Sequence, residues 1–138
     1  MSAIENLAKA IGYPEEVPAG CRDYLLAVDD FEVRAQETNG RLRLTAAVYA
    51  PPRDGSGEGT LAQLATYVPG RVLKEEAALA WDPDSDSAIL WQDFPATADA
   101  NDLRRFFEVY TASFEWWRER VRTAREPEPV FPEMVILP

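Results

Sequence analysis

The spacing of apolar residues changes period along this chain, and each period predicts a different element. In "SAIENLAKAIG" (residues 2–12), Ile4, Leu7 and Ile11 recur at i, i+3 and i+7, the spacing of one helix face. Ser2 is placed to cap the start with Glu5 three residues on, the capping-box pattern. Gly12 and Pro14 stop the helix, and "YPEEVPAG" reads as a loop. From residue 23 the period becomes two. Phe31, Val33 and Ala35 alternate with Glu32, Arg34 and Gln36, and Leu42, Leu44, Ala46 and Val48 alternate with Arg41, Arg43, Thr45 and Ala47. Asn39-Gly40 between these runs tolerates positive φ at both positions and predicts a tight hairpin. Asp29-Asp30 turns the run that begins at residue 23 into the next one. The segment is a three-stranded antiparallel meander with one polar face.

"PPRDGSGEGT" (51–60) is loop chemistry. "TLAQLATYV" (60–68) then predicts a helix, with Thr60 as cap and Leu61, Leu64, Ala65 and Val68 on one face. Pro69-Gly70 ends or kinks it, and "RVLKEE" adds at most another turn. "AALAW" and "SAILWQDF" are strand-like runs separated by "DPDSD". Residues 96–124 give the clearest helix: Leu103, Phe107, Tyr110, Phe114, Trp117 and Val121 recur at spacings of 4, 3, 4, 3 and 4. Asp99 or Asn101 caps it, and Arg118, Arg120, Arg122 and Arg125 suit the negative end of its dipole. Burial of that stripe contributes on the order of 9–18 kcal/mol before entropy is subtracted. The tail, residues 126–138, carries four prolines and cannot be helical, although "MVIL" is apolar enough to dock as a short strand on its own domain or on a second chain. The chain thus reads as one α+β domain over residues 1–125, in the order α-β-β-β-α-β-β-α, followed by a proline-rich tail.

Composition narrows the chemistry. With 24 acidic and 14 basic residues the net charge is −10, which repels nucleic acid and anionic lipid. There is no histidine, so Ser-His-Asp and Cys-His catalysis and the commonest metal ligand are excluded. A single cysteine, Cys21, excludes an internal disulfide framework and fits a reducing compartment such as the cytoplasm. No apolar run approaches the roughly 20 residues that cross a bilayer. "MSAIENLAKAIGY" lacks the long apolar stretch of a secretory signal.

One motif asks for a metal. In "DPDSDSAILWQD", Asp82, Asp84, Asp86 and Asp93 fall at positions 1, 3, 5 and 12 of an EF-hand calcium loop, with Ile89 at position 8. The context disagrees. Strands rather than helices flank the loop, Ser87 stands where glycine makes the sharp turn, and Asp93 stands where a longer bidentate Glu is needed. Asp-Pro-Asp-Ser-Asp is also hairpin-turn chemistry, and that is the expected reading, with no metal and no cofactor. The pairs Glu15-Glu16, Asp29-Asp30 and Glu75-Glu76 read as solvated acids, and "GSGEG" lacks the lysine of a phosphate loop.

The middle strands "DDFEVRAQETNGRLRLTAAV", the strand-turn-strand "LAWDPDSDSAILWQDFP" and the closing helix "LRRFFEVYTASFEWWRERV", with the element order, size and acidity, resemble the effector-binding type III secretion chaperones, the Tir-chaperone-like group. The resemblance covers residues 2–124. It implies a small acidic cytoplasmic homodimer, not an enzyme, that binds an extended N-terminal segment of a secreted effector. Such a chaperone keeps the segment unfolded and soluble and delivers it for secretion without ATP or covalent chemistry. By position, the resemblance assigns effector contacts to Leu7, Ile11, Leu26, Val28, Phe31 and Val33. It assigns the dimer interface to Leu61, Leu64, Tyr67, Val68, Leu79 and Trp81. The competing expectation is a dimeric regulatory or protein-interaction domain of the same fold with no secreted client.

Overall fold

The computed structural model describes residues 1–72 and 74–125. The elements are α1 (Ala3–Ile11), β1 (Asp23–Val28), β2 (Phe31–Thr38), β3 (Arg41–Tyr49), α2 (Glu58–Val72), β4 (Ala78–Asp82), β5 (Ser87–Pro95) and α3 (Ala100–Arg125). The expected order α-β-β-β-α-β-β-α is the observed one. The strands form one antiparallel sheet in the order β1-β2-β3-β5-β4, which leaves β1 and β4 as its two edges.

Local chemistry sets the boundaries. Ser2 caps α1 through a full capping box with Glu5, and Gly12 ends the helix in the left-handed conformation at φ 70°. Asn39 (φ 53°) and Gly40 (φ 75°) turn β2 into β3. Of the two candidate caps for α3, Asp99 serves: its carboxylate accepts the Asp102 N–H at 2.8 Å. α2 departs from expectation. It begins at Glu58 rather than Thr60 and continues through Pro69 to Val72. Proline removes the hydrogen bond to the carbonyl of Ala65, but Ala65 and Pro69 are both exposed, so water can take that carbonyl.

The core lies between one face of the sheet and the helices. The α3 stripe is buried along its whole length, from Leu103 through Phe107, Tyr110, Phe114 and Trp117 to Val121. It packs on Leu26, Val33, Ala35, Leu42, Leu44, Leu90 and Phe94, with Ile4 and Leu7 of α1 alongside. The Tyr110 hydroxyl donates to the Leu90 carbonyl at 2.7 Å, and burial pushes that phenol far above its ordinary pKa. The other face carries the alternate residues, including the ion pairs Arg34–Asp23 at 2.6 Å and Arg43–Asp93 at 2.7 Å.

The acidic motif is a hairpin turn between β4 and β5. Asp82 accepts the Asp84 N–H at 3.1 Å and the Ser85 hydroxyl at 2.8 Å, while Asp93 faces Arg43 across the sheet. The Asp82 and Asp93 carboxylates are thus turned to different partners, and among the described residues no group of three or more is placed to hold a metal ion. Residues 126–138, with "MVIL", lie outside the described residues.

Candidate binding groove and sheet edges

The C-terminal end of α1, the β1–β2 turn and the middle of α3 enclose an open trough of about 710 Å³. Ile11 and Tyr13 line it on one side, Val28 and Phe31 on another, and Phe107 with Ala112 form part of the α3 wall. The left-handed Gly12 turns the chain out of α1, and the Tyr13 N–H closes the turn on the Ala8 carbonyl at 2.9 Å.

The opposite wall is held by charge and stacking together. Phe31 stacks on Phe114 with centroids 4.2 Å apart and planes at 20°. Arg118 lies over both rings, at 5.4 Å and 5.7 Å, and reaches Asp30 at the hairpin tip at 2.6 Å and Glu115 at 2.7 Å. The hydrogen bond from Arg118 holds the Asp30 carboxyl below the usual carboxylate range. The rim adds Asp29, Arg104, Glu108 and Glu115. An apolar floor with a mixed polar rim suits an extended segment carrying apolar side chains.

Of the six residues assigned to effector contact, the trough brings together Ile11, Val28 and Phe31. Leu7, Leu26 and Val33 are fully buried in the core. Their assignment is corrected: the inward side of a strand beneath a helix is filled by the domain itself. Tyr13, Ala27 and the α3 residues of the wall were not anticipated. Tyr13 lay in a stretch that reads as loop, and α3 reads as core because its dominant stripe is core. The aromatic residue directly after the helix-ending Gly12 was the available signal.

The far edge is built differently. Leu61, Tyr67, Val68 and Leu79 are partly buried against the core, and Trp81 is 48% exposed on β4. Leu64, also expected at the dimer interface, is buried within its own domain and is corrected to a core residue, since its side chain is taken up by the core cluster. Arg71 and Arg120 lie over the Trp116 ring at 3.8 Å and 4.6 Å, and Tyr67 meets Trp116 edge-on at 5.5 Å. Arg71 pairs with Glu75, which also accepts the Ser113 hydroxyl at 2.8 Å, so α2 and the segment leading into β4 are tied to α3.

Residues 2–118 match the Tir chaperone protein (CesT) family. The chain belongs to that family. The resemblance drawn from the sequence is thereby borne out: this CesT-family protein is a chaperone of the type III secretion kind, and the family is non-catalytic by kind. No curated protein matches the sequence. Among the solved structures that share the fold are three complexes. A chain of the HopA1–SchA chaperone–effector complex is 17% identical with a TM-score of 0.59, covering 85% of this chain and 91% of its own. A chain of the ExsC–ExsE complex is 20% identical with a TM-score of 0.63, covering 85% and 89%. A chain of the ExoU–SpcU heterodimeric complex from the type III secretion system of Pseudomonas aeruginosa is 18% identical with a TM-score of 0.58, covering 83% and 93%. No helix among the described residues is long and apolar enough to cross a membrane.

Proposed function

We propose that this CesT-family chain is a cytoplasmic homodimer that binds an extended segment near the N-terminus of a type III secretion effector, keeping it unfolded and soluble until export. The observation that carries the reading is an apolar trough lying directly beside an open sheet edge in a chain of this family. Backbone pairing at an edge gives an unfolded client affinity without regard to its sequence, and the trough selects for apolar side chains. The acidic remainder, at net charge −10, keeps the loaded complex in solution. Solved relatives of the fold include complexes described as chaperone–effector pairs, which supports the same role here. Ile11, Val28 and Phe31 are the proposed client contacts. Leu61, Tyr67, Val68, Leu79 and Trp81 are the proposed self-association surface.

The test is light scattering on the purified protein, followed by calorimetric titration with N-terminal segments of secreted proteins encoded beside it. A mass near twice the 15.5 kDa of one chain and saturable binding of one such segment are expected. A strict monomer that binds no segment overturns the reading.

A further inference from the structure

The β1 edge carries a device that the role of client binding does not require. The Glu37 N–H donates to the Arg22 carbonyl at 2.9 Å, which makes Arg22–Glu37 a hydrogen-bonded pair just beyond β1. Pairs of that kind alternate along an antiparallel ladder. The register Asp23↔Gln36 to Val28↔Phe31 therefore turns the backbone groups of Asp23, Leu25 and Ala27 outward. Ala27 is the outward residue nearest the trough and lines it. Its N–H is already taken: it donates to the Tyr13 hydroxyl at 3.0 Å.

Tyr13 is held for that contact. Its own N–H is tied to the Ala8 carbonyl, and its ring meets Tyr24 edge-on with centroids 6.4 Å apart. Hydration alone would satisfy an exposed edge donor, so the tyrosine is not needed to rescue a buried polar group. Leu25, the next outward residue, is 55% exposed and has no such side-chain cap among the described residues. The chain that follows Tyr13 leaves α1 at the trough end of β1 and enters the strand at its other end. It is fastened on the way by Gly20, whose N–H donates to the Glu5 carboxylate at 2.7 Å. Among the described residues a hydroxyl closes the edge at its trough end, while at the other end the Cys21 thiol donates to the Asp23 carbonyl at 3.1 Å.

We propose that the Tyr13 hydroxyl is a latch on the β1 edge, holding the Ala27 N–H until a main-chain carbonyl of an extended client replaces it. The inference rests on the client-binding reading above and adds a selection rule to it. Any strand that pairs along Ala27 must displace the Tyr13 hydrogen bond, and one that reaches the far end must also displace the weaker Cys21 thiol contact to the Asp23 carbonyl at 3.1 Å. A segment that also sets apolar side chains among Ile11, Val28 and Phe31 recovers more than it displaces, whereas a polar strand does not. The latch thereby blunts indiscriminate edge pairing, the standing hazard of an open strand.

The probe is a fluorescein-labelled peptide of alternating threonine and valine with lysine ends, read by anisotropy against the full chain. Tyr13→Phe keeps the ring and removes the hydroxyl. It is expected to bind the peptide about two- to tenfold more tightly, the range of one ordinary hydrogen bond, and to speed amide hydrogen exchange at Ala27. Leu25→Pro deletes an outward donor while sparing the ladder to β2. It is expected to weaken binding several-fold relative to Leu25→Ala, with a melt by circular dichroism confirming that the sheet is retained. Equal or weaker binding by Tyr13→Phe, or unchanged exchange at Ala27, overturns the latch. So does binding that ignores Leu25→Pro, because the peptide then sits off the edge. If a secreted client binds in the calorimeter while Tyr13→Phe changes nothing, the latch alone falls. If neither client nor peptide binds, the client-binding reading falls with it.

Discussion

The two edges of the sheet are finished in opposite ways. β1 presents a line of outward backbone groups beside an apolar trough, with one donor held by Tyr13. β4 is shorter, carries the exposed Trp81 as its next-to-last residue, and follows α2, whose Tyr67 packs on Trp116 of α3. A line of donors with a groove fits a chain that has no fold of its own. Partly exposed apolar residues on a helix and a strand fit a folded surface, which is the second copy in the proposed dimer. α3 underlies both ends, packing on α1 at one and on α2 at the other. On the proposed function the sheet keeps apart two tasks that would compete if they shared an edge, and four substitutions test how far that separation holds.

The largest effect is expected where the two ends share a support. Trp117 is 1% exposed and packs against both Tyr67 and Trp116. Trp117→Ala should cost about 3–5 kcal/mol in denaturant unfolding, with client binding and self-association lost together. Client binding that survives with full affinity would show that the β1 end does not depend on α3, and the comparison would need another common support.

A smaller loss should stay at one end. Gly57 precedes α2, and a Cβ there would lie 2.5 Å from the Pro51 Cβ and 2.6 Å from the Tyr49 hydroxyl oxygen. Gly57→Ala should therefore cost about 1–3 kcal/mol, the usual range for overpacking. The expected pattern is a lower melting midpoint and weaker self-association, with client affinity retained in the folded fraction. Equal damage to client affinity would mean that strain at α2 reaches the trough, and that the edges are coupled.

Most of the fold was legible because its signals are local. Asn39-Gly40 set the central hairpin, Ser2 with Glu5 set the start of α1, and the 4-3-4-3-4 stripe set α3. The run through Pro69 was not legible, because exposure of Ala65 decides whether a lost helix bond matters, and exposure is a tertiary fact. The site was half legible. Ile11, Val28 and Phe31 line the trough, but alternation along a strand does not say which inward residues a helix will cover, so Leu7, Leu26 and Val33, expected at the groove, lie in the core. The α3 wall was hidden for a related reason: a helix so strongly striped reads as core on every side. Tyr13 was hidden because its partner is a backbone group, and backbone positions leave no mark in composition.

Trp81 separates folding from association. At 48% exposure it contributes little to its own domain, so Trp81→Ser should shift stability by no more than about 0.5 kcal/mol. On the proposed β4 surface the same change should lower the mass seen by light scattering toward that of one chain, with client-segment affinity per chain unchanged. An unaltered mass would move the self-association surface away from β4 and remove one half of the comparison.

The smallest effect concerns what steadies the trough. Asp30 anchors the hairpin tip to Arg118, but its side chain is 72% exposed, and exposed pairs of this kind add little to stability. The direction with pH is still fixed. The folded carboxyl lies below its ordinary value of 3.8, chiefly through the hydrogen bond from Arg118. A depressed folded pKa stabilises the fold fully above the unfolded value, and that contribution disappears as pH falls through the folded one. Wild type should therefore melt slightly above Asp30→Asn at neutral pH, and the gap should close in acid below the ordinary aspartate value. Arg118 also covers Phe31 and Phe114, so the substitution should loosen the trough wall and weaken client binding more than it lowers the melting midpoint. Self-association at β4 should not move at all. If it did, the hairpin tip and the far edge would be communicating through α3, and the two ends of the sheet would be one cooperative surface rather than two separate ones.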